Sequence, residues 1–439
     1  MTRQLLPLLF LWATLLSLGC EPSNQPVDDG PVSPQFDIIF AQDIVHSVTI
    51  DTAAGWPAML AAFLDTGSEA YREAQVTIDG SFAEAAGFRI KGSVAEGKGK
   101  AEKKYAFKLN FDYFGAERLL GIDKLHLENN KPDPTSLREA LASRTYRAMG
   151  VPAVRVAFAV VEVDGEDFGN YTMLQDVDKR YLKDAFGTEG HADDGNLYEC
   201  VPPGCTLEWA GDKMSDYQFG SGDDAQGLVL STNRSDPEKN DYADLINFLD
   251  VLNNTTDAEF EAAIQDVFDV DAFLRWLSVA VAIGDFDNYL SWPDNFYLYH
   301  RPDSDLFVYI PWDHNKTYGG KKCKGSFEAT GSTVAKPTCE VLDRPLVDRI
   351  LAVPAFNEKY LSYLSEVTNK WLTVEQQQAW LDELNDLVGW QIALDPTSYH
   401  SEEEYYQAIS ANPSTGSPPN LMDYITRRRA YLVEELELQ

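Results

Sequence analysis

The chain predicts an α+β fold, strand-rich in its first half and helical in its second, on three observations. Short aromatic and β-branched runs broken by turn residues fill positions 36–175. From Tyr242 onward apolar residues recur at helical spacing, and no internal repeat points to a solenoid. The 439 residues can bury a large core, in one elaborate domain or in two or three. A hydrophobic content of 44% with 12% aromatic residues marks that chain as globular and not disordered.

Taken in order, stretches 38–50 and 74–92 read as short strands with turns, and positions 56–64 between them as a helix. A small-residue loop over 92–100 leads into 104–111, which alternates strictly. That period puts Tyr105, Phe107, Leu109 and Phe111 on one face, with Lys104, Lys108 and Asn110 on the other, polar one. After a strand at 124–127, a helix over 136–149 opens with a capping box of Ser136 and Glu139 and stops at Gly150, before Pro152. Strands at 154–163 and 168–174 flank an Asp164-Gly165 turn. Helices follow over 242–252, 258–268, 271–283, 346–351, 354–371, 374–394 and 422–438.

The richest stretch interrupts those helices. Positions 296–300 and 306–310 are strand-like and are joined by Arg301-Pro302-Asp303-Ser304-Asp305, so they pair as a hairpin. Folding it brings Asn295 opposite Trp312 and Asp313, while Asp285 and Asp287 lie just upstream, where an apolar helix ends. Three or four oxygen donors in one place suit Mg²⁺ or Mn²⁺, with Ca²⁺ as a further possibility.

A formal net charge of −34 argues against nucleic acid or an anionic membrane surface as the main partner, because phosphate would be repelled. The first residues, an apolar run ending in Gly19-Cys20, read as a 1–20 signal peptide with a lipoprotein-type site and lipid on Cys20, ordinary secretion being the alternative. Positions 21–35 then form a flexible tether. The remaining cysteines pair by proximity, Cys200 with Cys205 and Cys323 with Cys339, in an oxidising compartment; a zinc site is the alternative.

The series F-R-I-K-G-S, K-K-Y-A-F-K-L-N-F, L-H-L-E-N-N-K-P-D-P-T-S-L-R, G-N-Y-T-M-L-Q-D-V-D-K-R-Y-L, G-N-L-Y-E and I-P-W-D-H-N-K-T-Y-G resembles the CotH kinase family, in the family's order and over nearly the whole chain. The resemblance implies an atypical protein-kinase-like fold over 36–439, with an N-lobe of about 36–175 and a C-lobe of about 176–439. It also implies ATP with a divalent metal, and phosphorylation of Ser or Thr on secreted or surface proteins. By that likeness Asp287 is the catalytic residue, and Asn295 and Asp313 are the metal ligands. Arg89, the loop beginning Gly92-Ser93, and Lys104 or Lys108 are candidates for the phosphates, and Gln175 lies in the adenine-contacting linker. Asp285-Phe286-Asp287 stands where the family often has N-W-D, which makes Asp285 a further candidate ligand. The basic patch of Lys321, Lys322 and Lys324 suggests a surface for an acidic protein substrate. The rival class is a non-catalytic scaffold or Ca²⁺-dependent adhesion module on the cell surface.

Overall fold

The computed structural model describes residues 34–91, 102–115, 118–217, 226–236, 239–323, 337–339, 344–410, 412 and 418–438. The leader with Cys20, the tether up to residue 33, Gly92, Ser93 and Lys324 lie outside the described residues. Helix α1 (Pro34–Ile39) comes first, then β1 (Val45–Thr52), α2 (Trp56–Thr66), β2 (Arg72–Ile78), β3 (Ser81–Lys91), β4 (Ala106–Asn110) and β5 (Lys124–Glu128). Helix α3 (Arg138–Ala148) separates these from β6 (Val156–Val163) and β7 (Glu166–Gln175). The first strand thus begins at Val45, seven residues later than the pattern suggested, because a short helix and a bend occupy its approach.

These seven strands form a closed barrel in the order β1-β2-β3-β4-β5-β7-β6. Closure comes from the parallel pairing of β1 with β6, from Val45 opposite Phe158 to Ile50 opposite Val163, and it removes both sheet edges. The alternation in β4 does its expected work on the inside, where Phe107 and Leu109 are fully buried in one cluster with Val48, Val76, Phe88 and Met173. Trp56 of α2 joins this cluster by edge-to-face contacts with Tyr105, Phe107 and Phe168. The opposite face of the strand is not solvated as its polar residues suggested: Lys104 is 1% exposed and Asn110 8%. Lys104, just ahead of the strand, is met by the C-terminal half, whose Asp395 takes its ammonium at 2.5 Å.

The expected capping box is also replaced. Ser136 has φ 54° and α3 begins only at Arg138, with no side-chain cap from its N-cap residue. Asp133 serves that end instead, accepting from the Arg138 N–H at 2.9 Å and the Thr135 N–H at 2.9 Å, and pairing with the Arg138 guanidinium. A carboxylate held in a turn has two acceptor oxygens, so Asp133 serves both the turn and the first N–H of the helix while its charge pairs with Arg138.

Beyond the barrel come α4 (Lys179–Phe186), β8 (Asn196–Val201), β9 (Gly227–Leu230), α5 (Ala243–Asn254), α6 (Asp257–Gln265), α7 (Val270–Ile283), β10 (Phe296–Arg301) and β11 (Leu306–Pro311). The chain then runs through α8 (Pro345–Ala352), α9 (Pro354–Glu366), a π-helical turn (Val367–Trp371), α10 (Val374–Ala393), α11 (Glu402–Ile409) and α12 (Leu421–Glu435). The anticipated hairpin is present, and it carries β8 and β9 in a four-stranded antiparallel sheet ordered β11-β10-β8-β9. Helix α7 is buried almost all round, as expected of a helix apolar on every face. Both disulfides join the cysteines that proximity paired, Cys200 with Cys205 and Cys323 with Cys339. None of the described helices is long and apolar enough to cross a membrane.

Candidate functional site

Helix α7 ends because Gly284 adopts φ 68°, its N–H closing on Ala280 O. An added Cβ there would lie 2.0 Å from the Tyr424 hydroxyl, so only glycine fits this reversal. The chain then delivers Asp285, Phe286 and Asp287 in turn. Asp285 is 1% exposed and accepts hydrogen bonds from the Tyr146 hydroxyl at 2.7 Å and from His314 Nδ1 at 2.8 Å. Burial works to lower His314, but Asp285 outweighs it and holds the imidazole above its ordinary range.

Asp287 is half-buried and is clamped by two ammonium groups, Lys316 Nζ at 2.5 Å on Oδ2 and Lys321 Nζ at 2.8 Å on Oδ1. Burial works to raise its carboxyl, and the two lysines overcome that and keep it below the usual range. Its backbone carbonyl accepts from Asn295 Nδ2 at 2.7 Å. The hairpin mouth closes as its register requires: Phe296 pairs with Pro311, and the Trp312 N–H donates to Asn295 O at 3.1 Å. Both residues at that mouth have left-handed backbones, Asn295 at φ 55° and Asp313 at φ 56°. For a non-glycine residue such a conformation persists only where the surroundings impose it, and it gathers at functional sites.

Trp312 packs edge-to-face on His126 of β5, with ring centroids 5.1 Å apart. This contact sets Asp313 at the wall of a cavity of about 560 Å³ that it shares with Lys91, Glu128, Lys104, Glu102 and Lys131. Lys91 pairs with Glu128 and lies 2.8 Å from His126 Nδ1. On the far side of that ring Nε2 lies 2.7 Å from Asp176, which also pairs with Lys108. Burial and the neighbouring Lys91 and Lys108 hold His126 well below its ordinary value, so it is neutral and can accept from Lys91 at Nδ1. Burial and the adjacent Glu128 push the Asp313 carboxyl up to about 6. Glu139 of α3 is buried next to His314 and Asp313, and desolvation takes it to about 8.

The residues expected from sequence are thus divided. Asp287, Asn295 and Asp313 converge around the hairpin mouth. Asp285 sits behind them, turned to Tyr146 and His314. Lys104 is committed to Asp395 and to the Asn170 carbonyl at 2.5 Å, Lys108 to Asp176, and Arg89 to Glu69. The Gln175 side chain accepts from the Arg155 N–H at 3.0 Å and donates to Asp184 at 3.3 Å. Lys321, expected on a substrate surface, is on Asp287 instead. Lys91, Glu128 and Lys316 were not singled out, and Glu139 was read as a capping-box residue, although Lys91 ends the F-R-I-K-G strand at the edge of the glycine loop, and that position could have flagged it.

Mg²⁺ or Mn²⁺ fits this donor set. The Asp313 carboxylate has no hydrogen-bond partner among the described residues, and the Asn295 amide turns its nitrogen to Asp287, which frees its oxygen. Burial, Glu128 and Asp287 disfavour the charged Asp313 carboxylate more than Lys316 and Lys91 favour it, and a hard cation would relieve that imbalance. Among the described residues no three His, Cys, Asp or Glu side chains form a ready-made metal cage.

Barrel, helical half and cleft together define a mixed α+β protein whose acids and ammonium groups meet at the mouth of one hairpin. The family model described as CotH kinase protein matches residues 88–432, and the chain belongs to that family. It is 23% identical over 337 residues to the inner spore coat protein H of Bacillus subtilis (strain 168), covering 76% of this chain and 84% of that one. It is also 24% identical over 228 residues to invasin CotH3 of Rhizopus delemar, which is 51% of this chain but only 36% of the invasin. Among solved structures, the HipA, HipB and operator DNA complex of the Shewanella oneidensis MR-1 toxin–antitoxin system matches 76% of this chain and 64% of its own at a TM-score of 0.35 and 13% identity.

Proposed function

We propose that this protein transfers the γ-phosphoryl group of ATP to a Ser or Thr hydroxyl of a secreted or surface protein, with Mg²⁺ or Mn²⁺. The observation that carries the reading is the meeting of Asp287, Asn295 and Asp313 at the hairpin mouth with Lys91, Lys316 and Lys321 around them, in a chain of the CotH kinase protein family. Asn295 Oδ1 and the Asp313 carboxylate would hold the metal, which when bound offsets phosphate charge. Lys91, released from the part-exposed Glu128, is our choice for the nucleotide phosphates, because Lys104 and Lys108 are held by the more deeply buried carboxylates of Asp395 and Asp176.

In the transfer, the substrate hydroxyl oxygen forms a bond to the γ-phosphorus as the bond to the bridging β–γ oxygen of ATP breaks, leaving ADP. The hydroxyl proton passes to Asp287. Two lysines make that carboxylate a weak base, so its chief work is to orient the hydroxyl, with proton transfer late. Lys316 and Lys321, already within reach of the same carboxylate, neutralise the moving phosphoryl group. Asp285 orients His314 and the loop that carries Asp313, a positioning role in place of a metal-binding one. Export with a lipid on Cys20, and a protein substrate on the cell surface, complete the proposal; the spore-coat and invasin relatives support it only by their names.

The test is incubation of the protein with γ-labelled ATP and Mg²⁺ or Mn²⁺, alone and with surface proteins, beside Asp287→Asn and Asp313→Asn. The expected outcome is protein-bound label that falls by at least about 10²-fold in each variant. Free phosphate without labelled protein, or no product and a Ca²⁺-dependent rise in melting temperature, would replace it with hydrolysis or a scaffold role.

A further inference from the structure

A second cavity of about 560 Å³ lies on another face of α3, between that helix, the start of β6 and α10. Its volume is in the range of small-molecule sites. On a chain with 70 acidic and 36 basic residues its wall inverts the balance, with Arg144, Arg147 and Arg155 against Glu383. Arg155 is committed to Asp184 and Asp37, at 2.7 and 2.6 Å. Arg144 holds Gln42 at 2.7 Å and the exposed Glu383 at 2.8 Å, and such a rim ion pair is worth little and exchanges readily. Arg147 is different: it donates to the Ala153 carbonyl at 3.0 Å and has no carboxylate partner among the described residues.

Two indoles complete the wall. Trp371 and Trp380 are parallel within 7°, their centroids 6.0 Å apart. The Trp371 Nε1–H is buried and has no acceptor among the described residues, although buried donors are nearly always paired. A guanidinium without an acid beside an aromatic wall calls for an aromatic anion as its complement.

We propose that this cavity binds a small aromatic anion, its ring against the paired indoles and its acid group on Arg147, with Arg144 joining once Glu383 swings away. Guanidinium forks favour planar carboxylate and tetrahedral phosphate, and indole surfaces favour a ring. The wall is also tied to the candidate site: Gln377 donates to Trp371 O at 2.7 Å and to the Thr145 hydroxyl at 3.3 Å, which lies 3.1 Å from the Tyr318 hydroxyl in the loop after Asp313. The proposal is independent of phosphoryl transfer.

Isothermal titration of the intact chain with phenyl phosphate, beside inorganic phosphate, tests it. The expected result is saturable 1:1 binding of phenyl phosphate, at least about tenfold weaker for inorganic phosphate and weakened about tenfold by Arg147→Gln or Trp380→Leu. Arg147 is exposed, so its variant should melt like the parent, and Trp380→Phe should restore most of the affinity. Lys91→Ala, which removes the proposed phosphate-binding lysine of the other cleft, should leave the titration unchanged. Absence of saturable heat, equal affinity for inorganic phosphate, or a loss that follows Lys91→Ala but not Arg147→Gln overturns the proposal.

Discussion

Two lysines near the cleft separate function from stability. Lys104 is 1% exposed, and burial lowers its pKa even against the pull of Asp395. Lys104→Met would strand the nearly buried Asp395 carboxylate and should cost about 3–5 kcal/mol in denaturant unfolding, whatever it does to activity. Lys91 is part-exposed at the cavity, so Lys91→Ala should leave the unfolding midpoint nearly unchanged and raise KM for ATP by roughly 10- to 100-fold. His300 gives a pH-dependent test away from the site. Burial works to lower it, but hydrogen bonds to Asp244 and the charge of Asp305 raise it above its ordinary 6.5. A raised histidine stabilises the fold fully below its unfolded pKa, and that contribution is lost as pH rises through the folded value. Denaturation between pH 6 and 9 should therefore show stability falling with pH, with a smaller slope in His300→Gln.

At the scale of elements, the hairpin β10–β11 was legible because its two runs are aromatic and β-branched and flank a five-residue turn, and its register follows from that turn. What it docks against was not legible. Helix α4 escaped notice because half of its eight residues are charged, and it is held by the Asp178 side chain capping Arg180 and Tyr181. Strand β9 is four residues long and exists through its pairing with β8. The turn at Gly284 is where the site depends most on one element end. Gly284→Ala meets both a left-handed backbone and the Tyr424 hydroxyl, and it should cost about 2–4 kcal/mol in thermal or chemical unfolding. Tyr424→Phe in that background should recover part of the loss.

At the scale of the molecule, a net charge of −34 sets a global field that favours cations and repels the chain from itself. Raising NaCl from about 0.02 to about 0.5 M shortens the Debye length from tens of ångströms to a few and should raise the melting temperature. A fall on adding salt would mean that local ion pairs outweigh the net repulsion. Composition, alternation and turn residues determined the α+β class, most of the long helices, the hairpin and the two disulfide pairings, because each depends on neighbours close in the chain. Only tertiary structure closed the barrel through the parallel β1–β6 pair, moved the cap of α3 to Asp133, and spent Lys104 on Asp395 from 291 residues away. It also decided which lysines attend Asp287 and Asp313. A charged side chain's role is fixed by the partner that desolvates or neutralises it, and that partner lies at no characteristic distance along the sequence.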